Sequence, residues 1–117
     1  MNVDELTKLV FNALDDLKAV DVRVLDVHKK SNVTDVLVIA TGTSARHTKS
    51  LANNVIVKAK ESGVIPFGVE GEDTGEWVLV DLGDVVVHIF QAEVRDFYQL
   101  EKLWETETKS QSESSAG

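Results

Sequence analysis

Residues 75–90, GEWVLVDLGDVVVHIF, predict two β-strands joined by a tight turn at Gly83. Successive side chains of a strand point to opposite faces of the sheet. A two-residue loop, placed at 82–83 or at 83–84, pairs the strands so that the same residues share a face in either case. One face is purely aliphatic and is therefore predicted to be the core side: Val78, Val80, Val85, Val87 and Ile89.

The opposite face of this hairpin is chemically mixed. It carries one large aromatic residue together with aliphatic, acidic and imidazole side chains: Trp77, Leu79, Asp81, Val86, His88 and Phe90. On a partly open sheet face, such a mixture is typical of a protein-binding patch. Two structural alternatives stay open, namely that Trp77 packs beneath a helix and that His88 is an ordinary packed residue.

The chain before the hairpin predicts two helices and three strands. Apolar residues at helical spacing indicate a helix over 3–19, and alternation indicates a strand over 21–28. The KKSN segment (29–32) is typical of a turn, and the apolar run 36–41 predicts a strand buried on both faces.

A second helix follows this buried strand. Thr43 or Ser44 can cap its start, and Gly63 can end it. The next segment, 66–71, predicts a short strand, for which Pro66 is tolerable at the edge. A strand, a helix and a strand at this spacing predict a parallel pair with a right-handed crossover.

The C-terminal region predicts one more helical segment, between Val94 and Trp104. Residues 105–117 show no apolar periodicity and predict a disordered, acidic and Ser-rich tail. The expected fold is therefore a single α/β domain over 1–104, of mixed α+β type. It has a mixed five-stranded sheet flanked by helices, in the order α-β-β-α-β-β-β-α.

Composition limits the function more than it limits the fold. The chain has 117 residues, no Cys and a net charge of −8. The absence of Cys removes disulfides and thiolate metal sites, and the acidic N-terminus does not resemble a signal peptide, so we expect a cytoplasmic protein that does not enter a membrane. A negative field repels phosphate backbones, which argues against direct nucleic-acid binding as the main function.

The negative charge is concentrated in one part of the chain. No Lys or Arg occurs from Glu61 to Val94, a stretch that holds eight acidic residues: Glu61, Glu70, Glu72, Asp73, Glu76, Asp81, Asp84 and Glu93. One interpretation is a solvated surface that maintains solubility. The other is a docking face for a basic partner.

Gly42, Thr43 and Ser44 stand between the buried strand and the second helix. A plain turn with a helix cap explains them, and an anion site at the helix N-terminus is the alternative. A similar strand-to-helix opening occurs in nucleotidyltransferases, which would make the chain a nucleotide-binding enzyme. The residues after Ser44, ARHTKSLANN, lack the carboxylate pair that holds magnesium in those enzymes.

No other residues suggest catalysis or metal binding. His28, His47 and His88 do not have the spacing of metal ligands, and Ser44 lacks a nucleophile-elbow motif. We therefore expect no catalytic residues, no metal and no cofactor.

Three segments of the chain resemble the ribosomal silencing factor family, also called Iojap-like proteins. They are TDVLVIATGTSARH (34–47), GVEGEDTGEWVLVDLGDVVVHIF (68–90) and FYQLEKLW (97–104), and the resemblance extends from about Leu6 to Trp104. It implies a fold related in shape to the nucleotidyltransferases, and a protein that is not an enzyme. It also implies binding to the large ribosomal subunit through the large-subunit protein numbered fourteen. That binding would block the small subunit from joining and so repress translation in starvation or stationary phase.

The family's recurrent motifs fall on Gly42-Thr43-Ser44, on Glu70-Gly71 and on the hairpin positions Trp77, Asp81, Gly83 and Asp84. Together with the acidic stretch, they yield a predicted docking set of Glu70, Trp77, Asp81, Asp84 and His88. A general adaptor for another basic protein is a further possibility. The resemblance also implies homodimers, and we expect a weak one.

Overall fold

The structure, a computed structural model, describes residues 1–28 and 34–98, the last three of these by their backbone alone. The elements in chain order are α1 (Val3–Asp16), β1 (Val20–Asp26), β2 (Val36–Gly42), α2 (Ala45–Glu61), β3 (Gly68–Glu70), β4 (Trp77–Asp81), β5 (Val85–Gln91) and α3 (Ala92–Tyr98). This order confirms the predicted α-β-β-α-β-β-β-α arrangement and the mixed five-stranded sheet.

The strands lie in the order β1-β2-β5-β4-β3. The predicted parallel pair of β2 with β3 is wrong, because β3 pairs with β4 in the antiparallel direction. The parallel partner of β2 is β5, which comes last among the strands in the chain. The two long apolar strands thus pair at the centre of the sheet, where both faces can be covered. The short, more polar β3 is left at an edge.

The hairpin of β4 and β5 confirms the predicted faces. Trp77 pairs with Phe90, and Val78 pairs with Ile89. Leu82 donates its N–H to the carbonyl of Val85 at 2.9 Å, so the loop consists of residues 83–84.

Both long helices cover the aliphatic face of the sheet. Their buried residues form one core with that face: Leu6, Val10, Ala13 and Leu14 of α1, Leu51, Ala52, Val55 and Ala59 of α2, and Val78, Val80, Val87 and Ile89 of the hairpin. Every residue of β2 is buried, as its continuous apolar run predicts. Within the described residues, no helix is both long and apolar enough to cross a membrane.

Helix α1 begins with a capping box. Asn2 accepts the N–H of Glu5 at 2.8 Å, and the Glu5 carboxylate accepts the N–H of Asn2 in return. The helix ends at Asp16, three residues before the predicted end. The reason is that Lys18 takes a φ of 60°, a left-handed conformation that closes the helix without a glycine.

Arg95 ties the short helix α3 to the sheet. Its buried guanidinium donates from Nη1 to the carbonyl of Asp21 and to Oγ1 of Thr41, each at 2.7 Å. Asp21 has a φ of 47°, and its strand has an irregular register between Val20 and Arg23. The left-handed residue and the bulge thus lie where the arginine reaches β1.

Several predicted boundaries differ from the structure or fall outside it. The strands predicted over 21–28 and 66–71 are the shorter β1 and β3. The predicted turn at 29–32 and the disordered tail at 105–117 lie outside the described residues, as does the part of the C-terminal helix beyond residue 98.

Candidate docking site

Four of the five predicted docking residues lie on the sheet face opposite α1 and α2. The register places Glu70 beside Leu79, and Leu79 beside His88. Trp77 and Asp81 flank this row on the same face, because side chains two apart on β4 point the same way. The fifth predicted residue, Asp84, lies in the two-residue loop.

Trp77 is half-buried and is held by two aromatic neighbours. Its Nε1–H donates to Nδ1 of His88 at 2.9 Å. Its ring meets Phe90 edge to face, with ring centroids 4.7 Å apart. Trp77 is therefore neither a fully packed core residue nor a loose surface residue, and its exposed edge has a defined orientation.

His88 is buried, with 8% of its surface exposed. Burial penalises the imidazolium and lowers the pKa of His88 from 6.5 to about 4. The ring is therefore neutral near pH 7, which leaves Nδ1 able to accept the indole hydrogen. The structure places His88 beneath the surface as a positioning residue for Trp77.

A depression of about 370 Å³ opens beside this tryptophan, lined by Glu70, Gly71, Trp77 and Leu79. Gly71 lets the backbone of this turn lie close to the backbone of Trp77. Its φ is 87°, and a Cβ there would lie 1.9 Å from the carbonyl oxygen of Trp77. Leu79 was not among the predicted docking residues, although strand alternation puts it on their face. The depression thus combines an aromatic edge, an aliphatic side chain and a carboxylate.

The two acids at the hairpin turn have different environments. Asp81 is half-exposed, and its Oδ1 accepts the N–H of Gly83 at 2.9 Å, so its carboxylate also stabilises the turn. The side chain of Asp84 is exposed. The Asp84 carbonyl accepts hydrogen bonds from the N–H groups of Asp35 and Val36 at 2.9 and 3.0 Å. A change of the Asp84 side chain therefore leaves the contacts of its backbone in place.

In the Gly42-Thr43-Ser44 motif, Thr43 and Ser44 make hydrogen bonds within the chain. Ser44 is the N-cap of α2, and its Oγ accepts the N–H of His47 at 3.0 Å. The N–H of Thr43 donates to Nδ1 of His47 at 2.9 Å. His47 Nε2 in turn donates to the carbonyl of Leu17 at 2.7 Å. Because these donors already have partners, the motif serves as a turn and cap that links α2 to the end of α1.

Gly42 is required by the same packing. A Cβ at this position would lie 2.3 Å from Oγ1 of Thr48 and 2.9 Å from its backbone nitrogen. The glycine is therefore explained by the close approach of α2 to β2 and needs no bound phosphate. Across the part of the chain that the structure describes, no group of three or more His, Cys, Asp or Glu side chains could hold a metal ion.

The fold and the candidate site together define a class: small, acidic α/β proteins with one mixed sheet and an aromatic depression on its second face. The profile of the family described as "Ribosomal silencing factor during starvation" matches residues 1–116. The chain belongs to this family.

Three comparisons illustrate the relationship. The chain is 49% identical over 104 residues to the ribosomal silencing factor RsfS of Chromobacterium violaceum, covering 89% of this chain and 85% of that protein. A crystal structure of a protein from the same organism superimposes with a TM-score of 0.88 at 48% identity, covering 90% of this chain and 88% of that one. The mouse protein called mitochondrial assembly of ribosomal large subunit protein 1 is 34% identical over 89 residues, covering 72% of this chain and 38% of that protein.

Membership of the family establishes the general role of the chain. Ribosomal silencing factors are regulatory proteins and not enzymes, in agreement with the expectation from the sequence. The chain is accordingly assigned to ribosome silencing and the regulation of translation.

Proposed function

We propose that this chain binds the large ribosomal subunit through a basic protein at the subunit interface, the large-subunit protein numbered fourteen, and thereby keeps the small subunit from joining. The resemblance of the sequence to the silencing factors suggests this partner. The name of the mouse relative, which refers to assembly of the large subunit, agrees with the same target. We place this activity in the cytoplasm.

The acidic stretch from Glu61 to Val94 is the observation that carries the proposal. Seven of its eight acidic side chains are exposed, and Asp81 is half-exposed. The stretch itself contains no Lys or Arg, and among the described residues only Glu61, at its start, forms an ion pair, with Lys58 at 3.9 Å. A surface of one sign attracts a partner of the opposite sign and raises the association rate, an effect that salt weakens.

Trp77 supplies the apolar contact that charge alone does not provide. Aromatic residues near the centre of an interface commonly cost about 2 kcal/mol or more when truncated. Here the hydrogen bond to His88 and the edge contact with Phe90 fix the indole before binding. A side chain that is already ordered loses less entropy on association. The carboxylates around it would act mainly on the association rate.

The decisive experiment measures subunit joining with purified subunits. Added protein is expected to reduce the assembled-ribosome peak on a sucrose gradient and to sediment with the large subunit. An unchanged peak, with no co-sedimentation, would reject the proposal. Pull-down from a lysate then asks whether a different basic protein is the main partner.

Asp84→Lys tests the docking face within that experiment. Asp84 is exposed, and its hydrogen bonds with other described residues all involve its backbone carbonyl, so the variant should fold normally. Asp15→Lys is the matched control, because it makes the same charge change at an exposed position of α1. We expect Asp84→Lys to bind more weakly at low salt and Asp15→Lys to bind as the parent does. Equal binding by both would move the docking face elsewhere.

We further propose a weak homodimer, through either the second sheet face or a helix flank. Light scattering over a range of concentrations measures it. A mass that stays monomeric at high concentration would exclude the dimer and leave the docking proposal intact.

A further inference from the structure

Two neighbouring apolar side chains stand out from the surface between α2 and β3. Ile65 is 67% exposed and Phe67 is 79% exposed, more than any other large hydrophobic residue in the described ranges. For comparison, Phe11 on α1 is 41% exposed. Single exposed hydrophobic residues are ordinary, but two that are separated in the chain by one residue require a reason.

The segment that carries this pair is anchored at both ends. After α2, Gly63 takes a φ of 84° and the N–H of Val64 donates to the carbonyl of Ala59 at 2.8 Å. At the other end, the N–H of Phe67 donates to the carbonyl of Asp81 at 2.8 Å. Pro66 restricts the backbone between the two exposed residues. The pair is therefore presented in a set position, which reduces the entropy lost on binding.

Phe67 lies against the acidic turn of the hairpin. A Cβ on Gly83 would be 2.6 Å from Cε2 of the Phe67 ring, so the ring packs over this glycine. Gly83 is flanked in the chain by Leu82 and Asp84. The backbone carbonyl of Asp81 accepts the N–H of Phe67. Asp81 and Trp77 are the two ends of β4, about 13 Å apart at the rise of an extended chain.

From this arrangement we infer that Ile65 and Phe67 form a second apolar anchor of the docking surface, contacting an apolar side chain on the same basic protein that meets Trp77 and Asp84. This inference rests on the proposed function. The charge of the surroundings selects the occupant, because the acidic side chains around the pair favour a partner of opposite charge over a second copy of this chain. A partner that carries Lys or Arg around an apolar group is attracted instead.

The test uses Phe67→Ser and the double variant Ile65→Ser/Phe67→Ser, with Phe11→Ser as the matched control. Binding to purified large subunits is measured by co-sedimentation at low and at high salt. We expect Phe67→Ser to weaken binding about tenfold, which is typical of an interface anchor, and the double variant to weaken it further. Phe11→Ser should bind as the parent does. Thermal melts should show all three variants folded, because the changed side chains are largely exposed.

Salt separates an apolar anchor from a charge effect. The loss caused by Phe67→Ser should persist at high salt, whereas the loss caused by Asp84→Lys should shrink. If the parent protein binds large subunits and the Phe67→Ser variant binds equally well, this inference is overturned and the proposed function stands. Parent protein that does not bind large subunits overturns the proposed function itself. Loss of self-association in Phe67→Ser with unchanged subunit binding would assign the pair to a second copy and also overturn the inference.

Discussion

The indole Nε1–H of Trp77 donates a 2.9 Å hydrogen bond to Nδ1 of His88 across the β4–β5 hairpin. The two residues are diagonal neighbours, since Trp77 pairs with Phe90 and His88 pairs with Leu79. The bond requires a neutral imidazole, and the burial of His88 keeps it neutral. A buried residue thus sets the orientation of a half-exposed one on the candidate docking face.

Trp77→Ala should lower the free energy of unfolding by about 2–3 kcal/mol. It removes the edge contact with Phe90 and leaves Nδ1 of His88 without its donor, and an unsatisfied buried group costs about 1–3 kcal/mol. Urea denaturation measures the loss. A change below about 0.5 kcal/mol, the range of ordinary surface substitutions, would show that the indole contributes nothing to stability.

Binding to the large subunit should distinguish Trp77→Ala from a variant that is only destabilised. Leu51→Ala, in the fully buried core of α2, should lose a comparable 2–5 kcal/mol. At a temperature where both variants are folded, we expect weakened large-subunit binding only for Trp77→Ala. Equal binding by the two variants would assign Trp77 to stability alone.

His88 should make the protein less stable in acid. The unfolded histidine titrates at 6.5 and the folded one at about 4, so in this window the unfolded state binds a proton that the folded state does not. The contribution of neutral His88 to the free energy of unfolding is therefore complete above pH 6.5 and is lost as the pH falls toward 4. In total it amounts to about 3 kcal/mol, at 1.36 kcal/mol per pH unit.

His88→Gln provides the reference for that titration. Glutamine has no proton to gain in this range, and its amide oxygen can accept the indole hydrogen. The difference in unfolding free energy between parent and variant, measured in urea at several pH values, should change between pH 6.5 and 4. Parallel pH profiles would contradict the assignment.

Arg95→Met should cost about 3 kcal/mol of stability. The change leaves Oγ1 of Thr41 and the carbonyl of Asp21 without the guanidinium that both accept from, and breaking a buried charged contact is typically this expensive. Arg46→Met, at an exposed position of α2, is the control and should stay within about 0.5 kcal/mol of the parent. Denaturation curves that coincide for the two variants would show that Arg95 does not hold α3 to β1 and β2.

Gly42→Ala should destabilise the junction of β2 and α2 by about 1–3 kcal/mol, because the new methyl group overlaps Thr48. Gly68→Ala is the matched control, since nothing lies within 4 Å of a Cβ at that position. Thermal melts compare them. If Gly42→Ala is as stable as the control, the junction has room and the close-packing explanation fails.

The faces of the hairpin could be predicted from the sequence, because a strand has a period of two and any two-residue loop at this turn preserves the pairing. The parallel partner of β2 could not. Adjacency in the chain favours β3 as the parallel partner of β2. In the structure that partner is β5, which is more apolar and can be buried on both faces. Local patterning contains no information on which distant strand fills the centre of a sheet.

The candidate site was predictable in part for similar reasons. Alternation put His88 and Trp77 on one face, but the burial that turns His88 into a hydrogen-bond acceptor depends on neighbours from other strands. No periodic pattern in the sequence predicts the buried contacts of Arg95. One arginine in a helical segment is usually solvated. The sequence pattern predicts that Phe67 is a strand residue, and only its exposure in the structure distinguishes it.

The position of β5 between β2 and β4 also constrains how the chain acquires its shape. A chain synthesised from its N-terminus presents β2 long before residues 85–91 exist, so this strand, which is wholly buried in the folded protein, has only β1 as a partner in the meantime. The central contacts join residues about fifty positions apart, and such non-local pairing slows folding. Until β5 is inserted, β2 has an unpaired strand edge and exposed apolar side chains, which favour association with other chains.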